Sequence, residues 1–205
     1  MTVTSVTKIN NSRYKICLDT GTVFALYPGE IRRLGIKEGS DLKEDTYDKI
    51  MTEILPVRAK RRILNLISVK DYSVQKLTEK LKEGLYPSFI IEDSIDYVIG
   101  LGYVDDLRYA FNFIMANANL KTESAIRQKL ILRGITSLTV DKAFDEWRNL
   151  GNEQDYEGML EDLLRKRSYN SQTATDTEKR RNYNFLIRKG FPHNMVMDRI
   201  CNFKC

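Results

Sequence analysis

The feature that most constrains this chain is a pattern that occurs three times: a helical segment, a glycine, and a second helical segment. The glycines are Gly84, Gly134 and Gly190, which lie 50 and 56 residues apart in a chain of 205 residues. Apolar residues recur at helical spacing on both sides of each glycine. Units of about 50 residues are marginal alone but bury each other's apolar faces when they stack. We expect each glycine to end its helix in the left-handed conformation, which is unfavourable for a residue with a side chain.

A further helical segment precedes each pair, so each repeat is predicted to contain three helices. The predicted repeats span residues 58–105, 106–150 and 151–205. Residues 168–177 have no large apolar side chain after Tyr169, and we expect a mobile linker there. The predicted fold is therefore mainly α, with three tandem stacked three-helix repeats that form a curved, elongated arm.

The N-terminal residues 1–57 have a different pattern, which predicts a small β-rich segment followed by a connecting helix. Three stretches, at residues 3–9, 13–18 and 22–27, are rich in Val, Ile, Thr, Tyr and Phe and are separated by turn-forming residues. The apolar period changes from 2 to 3.6 after Asp45, a good N-cap residue. Pro56 is expected to end or kink the helix that begins there.

Composition and charge exclude several classes of function. Hydrophobic residues make up 42% of the chain and no apolar run is long enough to span a membrane, so we expect a globular, cytoplasmic protein. A disulfide framework is disfavoured by three cysteines with no CxxC spacing. Cys201, Cys205 and His193 lie close in sequence, but we favour a terminal helix with two free thiols over a metal site. No nucleotide-binding, serine-hydrolase or metalloprotease motif is present, so we expect no catalysis, no cofactor and no small-molecule substrate.

The excess positive charge lies near the C-terminus. The net charge of the whole chain is +5, whereas residues 163–205 contain ten basic and three acidic residues, a net charge of +7. A polyanion, or a protein bound to one, is a plausible partner for such a segment.

The join between the first two repeats carries the most specific motif. It reads Gly102-Tyr103-Val104-Asp105-Asp106-Leu107-Arg108-Tyr109-Ala110. Together with the helix–glycine pattern before Gly134 and the run at residues 185–191, it resembles the signature of the regulatory protein RecX family. The N-terminal strands resemble an extension in longer members. By residue type alone, the two aspartates are more typical of a helix N-terminus than of an acid–base or metal site.

The resemblance implies a non-enzymatic regulator of the RecA recombinase in recombination and DNA repair. Such a protein is expected to bind the RecA–single-stranded DNA filament and to inhibit ATP turnover, strand exchange and filament growth. Two alternatives remain: a helical protein that binds nucleic acid directly, and a scaffold for another protein.

Basic residues around one aromatic residue are the candidates for the surface that faces the partner. The candidate residues are Arg165, Lys166, Arg167, Arg181, Phe185, Arg188, Lys189, Lys129 and Arg133. Helical spacing places Phe185 between Arg181 and Arg188 on the outer face of its helix, opposite Tyr183 and Leu186. Alternatively, Phe185 packs against the preceding repeat, and the basic residues are merely solvated.

Overall fold

The computed structural model describes residues 1–202 of the chain. Lys204 and Cys205, which belong to the predicted third repeat and its basic segment, lie outside the described residues. The chain forms two compact units, Met1–Asp105 and Asp106–Cys205. The mainly α fold with a small N-terminal sheet is confirmed, and the division into three repeats stays a prediction.

A three-stranded antiparallel sheet begins the first unit. Its strands are β1 (Val3–Asn10), β2 (Arg13–Leu18) and β3 (Val23–Leu26), in the order β1-β2-β3. The buried residues Ile16 and Phe24 pair across β2 and β3, so one face of the sheet is apolar. A sheet of this size needs a cover on that face, and the helices of the unit supply it.

Five helices follow the sheet in the first unit, as the structure describes it. They are α1 (Pro28–Leu34), α2 (Glu44–Lys49), α3 (Leu55–Ile67), α4 (Val74–Lys82) and α5 (Ser88–Gly100). Ile50, Leu55 and Ile63 are fully buried and belong to the same apolar core as the sheet.

Pro56 does not end the helix before it. A π-helical turn, Ile50–Ile54, joins α2 to α3, and the Leu55 N–H donates to the Ile50 carbonyl, five residues back. Pro56 then lies in the first turn of α3, where its missing N–H costs least. The wider turn thus lets the helical backbone continue past the proline.

The second unit is helical throughout its described part. Its helices are α6 (Asp106–Asn117), α7 (Glu123–Ile131), α8 (Ser137–Asn149), α9 (Tyr156–Lys166), α10 (Asp176–Arg188) and α11 (His193–Asn202). One apolar cluster lies among α6, α7 and α8, and a second among α9, α10 and α11. Tyr169, in the predicted linker, is buried in the second cluster, and its hydroxyl donates to the Ile200 carbonyl at 2.6 Å. The mobility of residues 168–177 stays a prediction.

The glycines of the repeats do not all have the same conformation. Gly134 and Gly190 have φ values of 82° and 88°, as predicted for left-handed helix ends. The prediction is wrong for Gly84, because the left-handed residue there is Leu85, with φ of 58°. Gly84 instead has little space around it, since a Cβ atom there would lie 2.7 Å from the ring of Tyr86 and 3.0 Å from the Leu81 carbonyl.

Hydrogen bonds correct the register of the first repeat by one residue. The Ile135 N–H donates to the Leu130 carbonyl, and the Tyr86 N–H donates to the Leu81 carbonyl in the same pattern. Leu85 therefore corresponds to Gly134, and Tyr86 to Ile135.

Candidate partner-binding surface

The start of α7 and the end of α10 are held together by a single threonine. Thr122 caps α7, since its Oγ1 accepts the Ala125 N–H at 3.3 Å. The same hydroxyl donates to the Lys189 carbonyl at 2.7 Å. Gly190 follows directly, and a Cβ atom there would lie 2.6 Å from Thr122 Oγ1. The close approach of these two helix ends therefore depends on glycine at position 190.

Further contacts fix the loop that precedes α7. The Gln154 side-chain amide donates to the Ala118 carbonyl at 2.8 Å and to the Lys121 carbonyl at 2.7 Å. The Tyr156 hydroxyl accepts the Glu123 N–H at 3.2 Å. The backbone that carries Lys121 is thus held on both sides by side chains from the segment that leads into α9.

Four basic residues gather at this point, and we call them the junction cations: Lys121, Lys129, Arg133 and Lys189. Burial lowers the pKa of the Lys121 ammonium, and the positive charges of Lys129, Lys189 and Arg133 lower it further. Lys121 Nζ donates to Asn117 Oδ1. Because every charge that contributes to this pKa shift is positive, the local field favours an anion.

Aromatic rings hold two arginines of this region in place. The Arg133 guanidinium lies 4.2 Å from the centre of the Phe113 ring, and its Nη1 donates to the Tyr109 hydroxyl at 3.2 Å. The Arg167 guanidinium lies 4.3 Å from the centre of the Phe185 ring. Lys189 Nζ lies 5.4 Å from the same centre. Such stacking reduces the conformational freedom of the cations.

The structure brings some of the predicted surface residues together. Lys129, Arg133 and Lys189 all act on Lys121, and Lys189 and Arg167 share the ring of Phe185. The cations that lie over the Phe185 ring are Arg167 and Lys189, in addition to the two α10 arginines that helical spacing places beside it.

The other predicted residues are exposed on the third repeat. Arg165 pairs with Asp162 on its own helix at 3.6 Å, and Lys166 beside it is exposed. Arg181 and Arg188 are also exposed, and the Arg188 Nε donates to the Asn184 carbonyl of the same helix at 3.2 Å. The inward face of α10 is formed by Leu186, as predicted, together with Asn182. The role of all the predicted residues in binding a partner stays a prediction.

Sequence reasoning missed Lys121. It is a single lysine in a short loop, and no periodic pattern marks it. Its position becomes informative only through the Thr122–Lys189 hydrogen bond, which joins residues 67 positions apart. A possible sequence signal is its place directly before the N-cap residue of α7.

The motif at residues 102–110 has a structural role in the join between α5 and α6. Gly102 has φ of 71°, and Ala110 is fully buried in the core beside Ile114. Asp105 directly precedes α6, and Asp106 is the first residue of that helix. Within residues 1–202, no group of three or more His, Cys, Asp or Glu side chains is placed to hold a metal ion. No helix in the same range is long and apolar enough to cross a membrane.

Comparison with known proteins gives one consistent family. No protein-family model matches the chain. It is 27% identical over 203 residues to the regulatory protein RecX of Clostridioides difficile (strain 630), covering 96% of this chain and 93% of that protein. It is also 27% identical over 186 residues to the regulatory protein RecX of Clostridium acetobutylicum, covering 90% and 86% of the two chains.

Two solved structures of RecX proteins have a fold similar to that of this chain. A crystal structure of regulatory protein RecX has a TM-score of 0.62 at 22% identity and covers 97% of this chain and 98% of that one. RecX from Lactobacillus salivarius has a TM-score of 0.56 at 18% identity, covering 71% of this chain and 94% of that one.

Proposed function

Because the resemblance to the regulatory protein RecX family is confirmed over nearly the whole chain, we propose that this protein binds the RecA–single-stranded DNA filament and inhibits RecA. The observation that carries the proposal is the Thr122–Lys189 hydrogen bond, which brings the loop of Lys121 against the end of α10 and so gathers basic residues on one helical unit. A RecA filament contains a continuous run of phosphates, which a basic surface attracts over long distances. The proposed setting is the cytoplasm, where RecA and its DNA are found.

Inhibition requires more than binding. A ligand shifts an equilibrium only by the difference between its affinities for the two states. To slow ATP turnover, this protein has to bind one state of the filament more tightly than the other states of the ATPase cycle. A surface whose segments are tied together, as Thr122 ties α7 to the end of α10, suits this role, since it fits its partner best at one spacing of the partner's subunits.

The test is RecA's DNA-dependent ATPase, measured while this protein is titrated from sub-stoichiometric to equimolar amounts. We expect the rate to fall over this range, and the protein alone should hydrolyse no ATP. A rate that stays unchanged over a wide titration contradicts the proposal.

A second candidate function is direct binding of nucleic acid without RecA, and the junction cations favour it too. Salt-dependent binding to bare single-stranded DNA, compared with binding to the RecA filament, separates the two functions. Tight, filament-independent binding that leaves RecA activity unchanged would support the second candidate. Binding to neither ligand would leave the role of a scaffold for another protein.

A further inference from the structure

We infer that the junction cations bind consecutive phosphates of single-stranded DNA directly, and that they form the DNA-contacting part of this protein's surface. The inference rests on the proposed function, because it takes the DNA of the filament as the ligand. It places DNA contact where the second and third predicted repeats meet, rather than on the exposed arginines of α10.

The first argument is the energetic cost of the arrangement. Lys121 comes from the loop before α7, Lys129 from the last turn of α7, and Lys189 from the end of α10. The Thr122–Lys189 hydrogen bond and Gly190 hold these segments together. Repulsion between like charges that lie close together opposes folding. An anion that binds among them replaces this repulsion with attraction. A fold that keeps four cations together therefore has a ready site for a polyanion.

The second argument concerns which part of a nucleic acid is contacted. The Phe113 ring has the Arg133 guanidinium over its face, and the Phe185 ring has Arg167 and Lys189. Rings covered in this way offer little open face on which a base can stack. The N–H groups of the stacked cations suit phosphate oxygens, so binding should depend little on the identity of the bases.

The third argument favours phosphates over an acidic protein surface. Lys129, Arg133 and Lys189 are exposed, and Lys121 and Arg133 both hydrogen-bond to side chains of α6, at Asn117 and Tyr109. A strand of DNA presents one negative charge per nucleotide with no positive group between them, which matches a patch of one sign. Protein surfaces usually mix both signs, so some of the four cations would then meet like charge.

The experiment is fluorescence anisotropy of the full chain with a labelled 20-nucleotide oligo(dT) over a salt series, without RecA. The test variant is Lys121→Gln/Lys129→Gln, in which glutamine can still donate to Asn117. The matched control is Lys82→Gln/Lys142→Gln, which removes the same charge from exposed positions on α4 and α8. Circular dichroism verifies that all three proteins keep the same helix content.

We expect the log–log salt slope of the test variant to flatten by about 1.4, since each phosphate that is no longer neutralised reduces the slope by about 0.7. The control should keep the parent's slope. A strand of the same length with abasic sites should bind with the same slope as oligo(dT). An unchanged slope in the test variant overturns the inference, and so does equal competition by polyglutamate of matched charge.

RecA ATPase measured on the same proteins separates this inference from the proposed function. If the test variant loses inhibition while its DNA binding is unchanged, the junction cations contact RecA, and the inference is wrong. If the slope flattens but even the parent fails to inhibit RecA, the phosphate site stands and the proposed function fails.

Discussion

Two arginines, one in each compact unit, stack on aromatic rings at nearly the same distance but have different charged neighbours. Arg58 lies 4.3 Å from the centre of the Tyr27 ring, and Arg133 lies 4.2 Å from the centre of the Phe113 ring. Arg58 also pairs with Glu30 and donates to the Ala25 carbonyl at 3.0 Å. The charge of Arg133 instead adds to those of the other junction cations. Stacking is therefore common to both arginines, and the charges beside them differ: Glu30 beside Arg58, and Lys121 beside Arg133.

The two arginines also differ in burial. The side chains of Arg58 and Glu30 are 15% and 18% exposed, so each needs the other to remain charged at low cost. Arg133 is exposed. Arg58 therefore ties α3 to α1 and to the edge of the sheet, whereas Arg133 presents its charge at the surface of its unit.

The largest effect is expected where the junction cations are held together. Gly190→Ala should lower the free energy of unfolding by about 3 kcal/mol, because a side chain is strained at φ of 88° and its Cβ would collide with Thr122 Oγ1. The matched control is Gly151→Ala, at φ of 79° with nothing within 4 Å, which should cost about 1 kcal/mol. Urea unfolding measures both, and equal losses would show that the Thr122 contact is not tight.

The next effect tests the comparison of the two arginines directly. Arg58→Met should lower the free energy of unfolding by about 2 kcal/mol, since it leaves the carboxylate of Glu30 half-buried without its partner. Arg133→Met should cost less, about 0.5 to 1 kcal/mol, since it removes the stacking on Phe113 at an exposed position. If both variants unfold at the same urea concentration as the parent, Arg58 is not structural and the contrast fails.

The repeat glycines show what the sequence could and could not predict about the fold. Spacing of apolar residues predicted the helices of each repeat, because that pattern is local and strong. It did not reveal that Leu85, not Gly84, takes the left-handed conformation. The reason is that the Tyr86 ring leaves little space for a side chain at Gly84, and this contact exists only in the folded chain.

The candidate surface was predictable to a similar extent. Sequence charge marked Lys129, Arg133 and Lys189 as candidates, since basic residues stand out on predicted helices, and their role in binding stays a prediction. Lys121 and the ring contact of Arg167 could not be found, because both depend on contacts between segments that are distant in the sequence. Helical spacing alone also could not show that Arg167 lies over the Phe185 ring, since it describes only one helix at a time.

A smaller loss of stability is expected at the helix ends of the first and second predicted repeats, which can be compared. Gly134→Val should lower the free energy of unfolding by more than about 1 kcal/mol, because β-branched residues are poorly tolerated at positive φ. Leu85→Gly, at the corresponding position of the first repeat, should cost less than Gly134→Val, since relief of strain offsets the reduced packing. Thermal unfolding measures both variants, and an unmoved midpoint for Gly134→Val would show that the repeat register is wrong.

The smallest effect concerns the exposed arginines of α10. Arg181→Ala/Arg188→Ala should weaken filament binding at moderate salt while it leaves helix content intact, since both side chains are exposed. Among the described residues, neither arginine stacks on a ring, so holding each against a phosphate costs more side-chain entropy than for Arg133. If both nevertheless contact phosphates, the slope on single strands should flatten by about 0.7 for each.

Comparing the change in salt slope of the α10 variant with that of Lys121→Gln/Lys129→Gln shows which surface contributes more to binding, the α10 arginines or the junction cations. We expect the α10 double variant to lose less filament affinity than the junction double variant at the same salt concentration. A larger loss in the α10 variant would move the main contact to the third predicted repeat. If the α10 variant binds and inhibits like the parent, its two arginines are only solvated surface. Recognition would then depend on the junction cations or on the first two repeats.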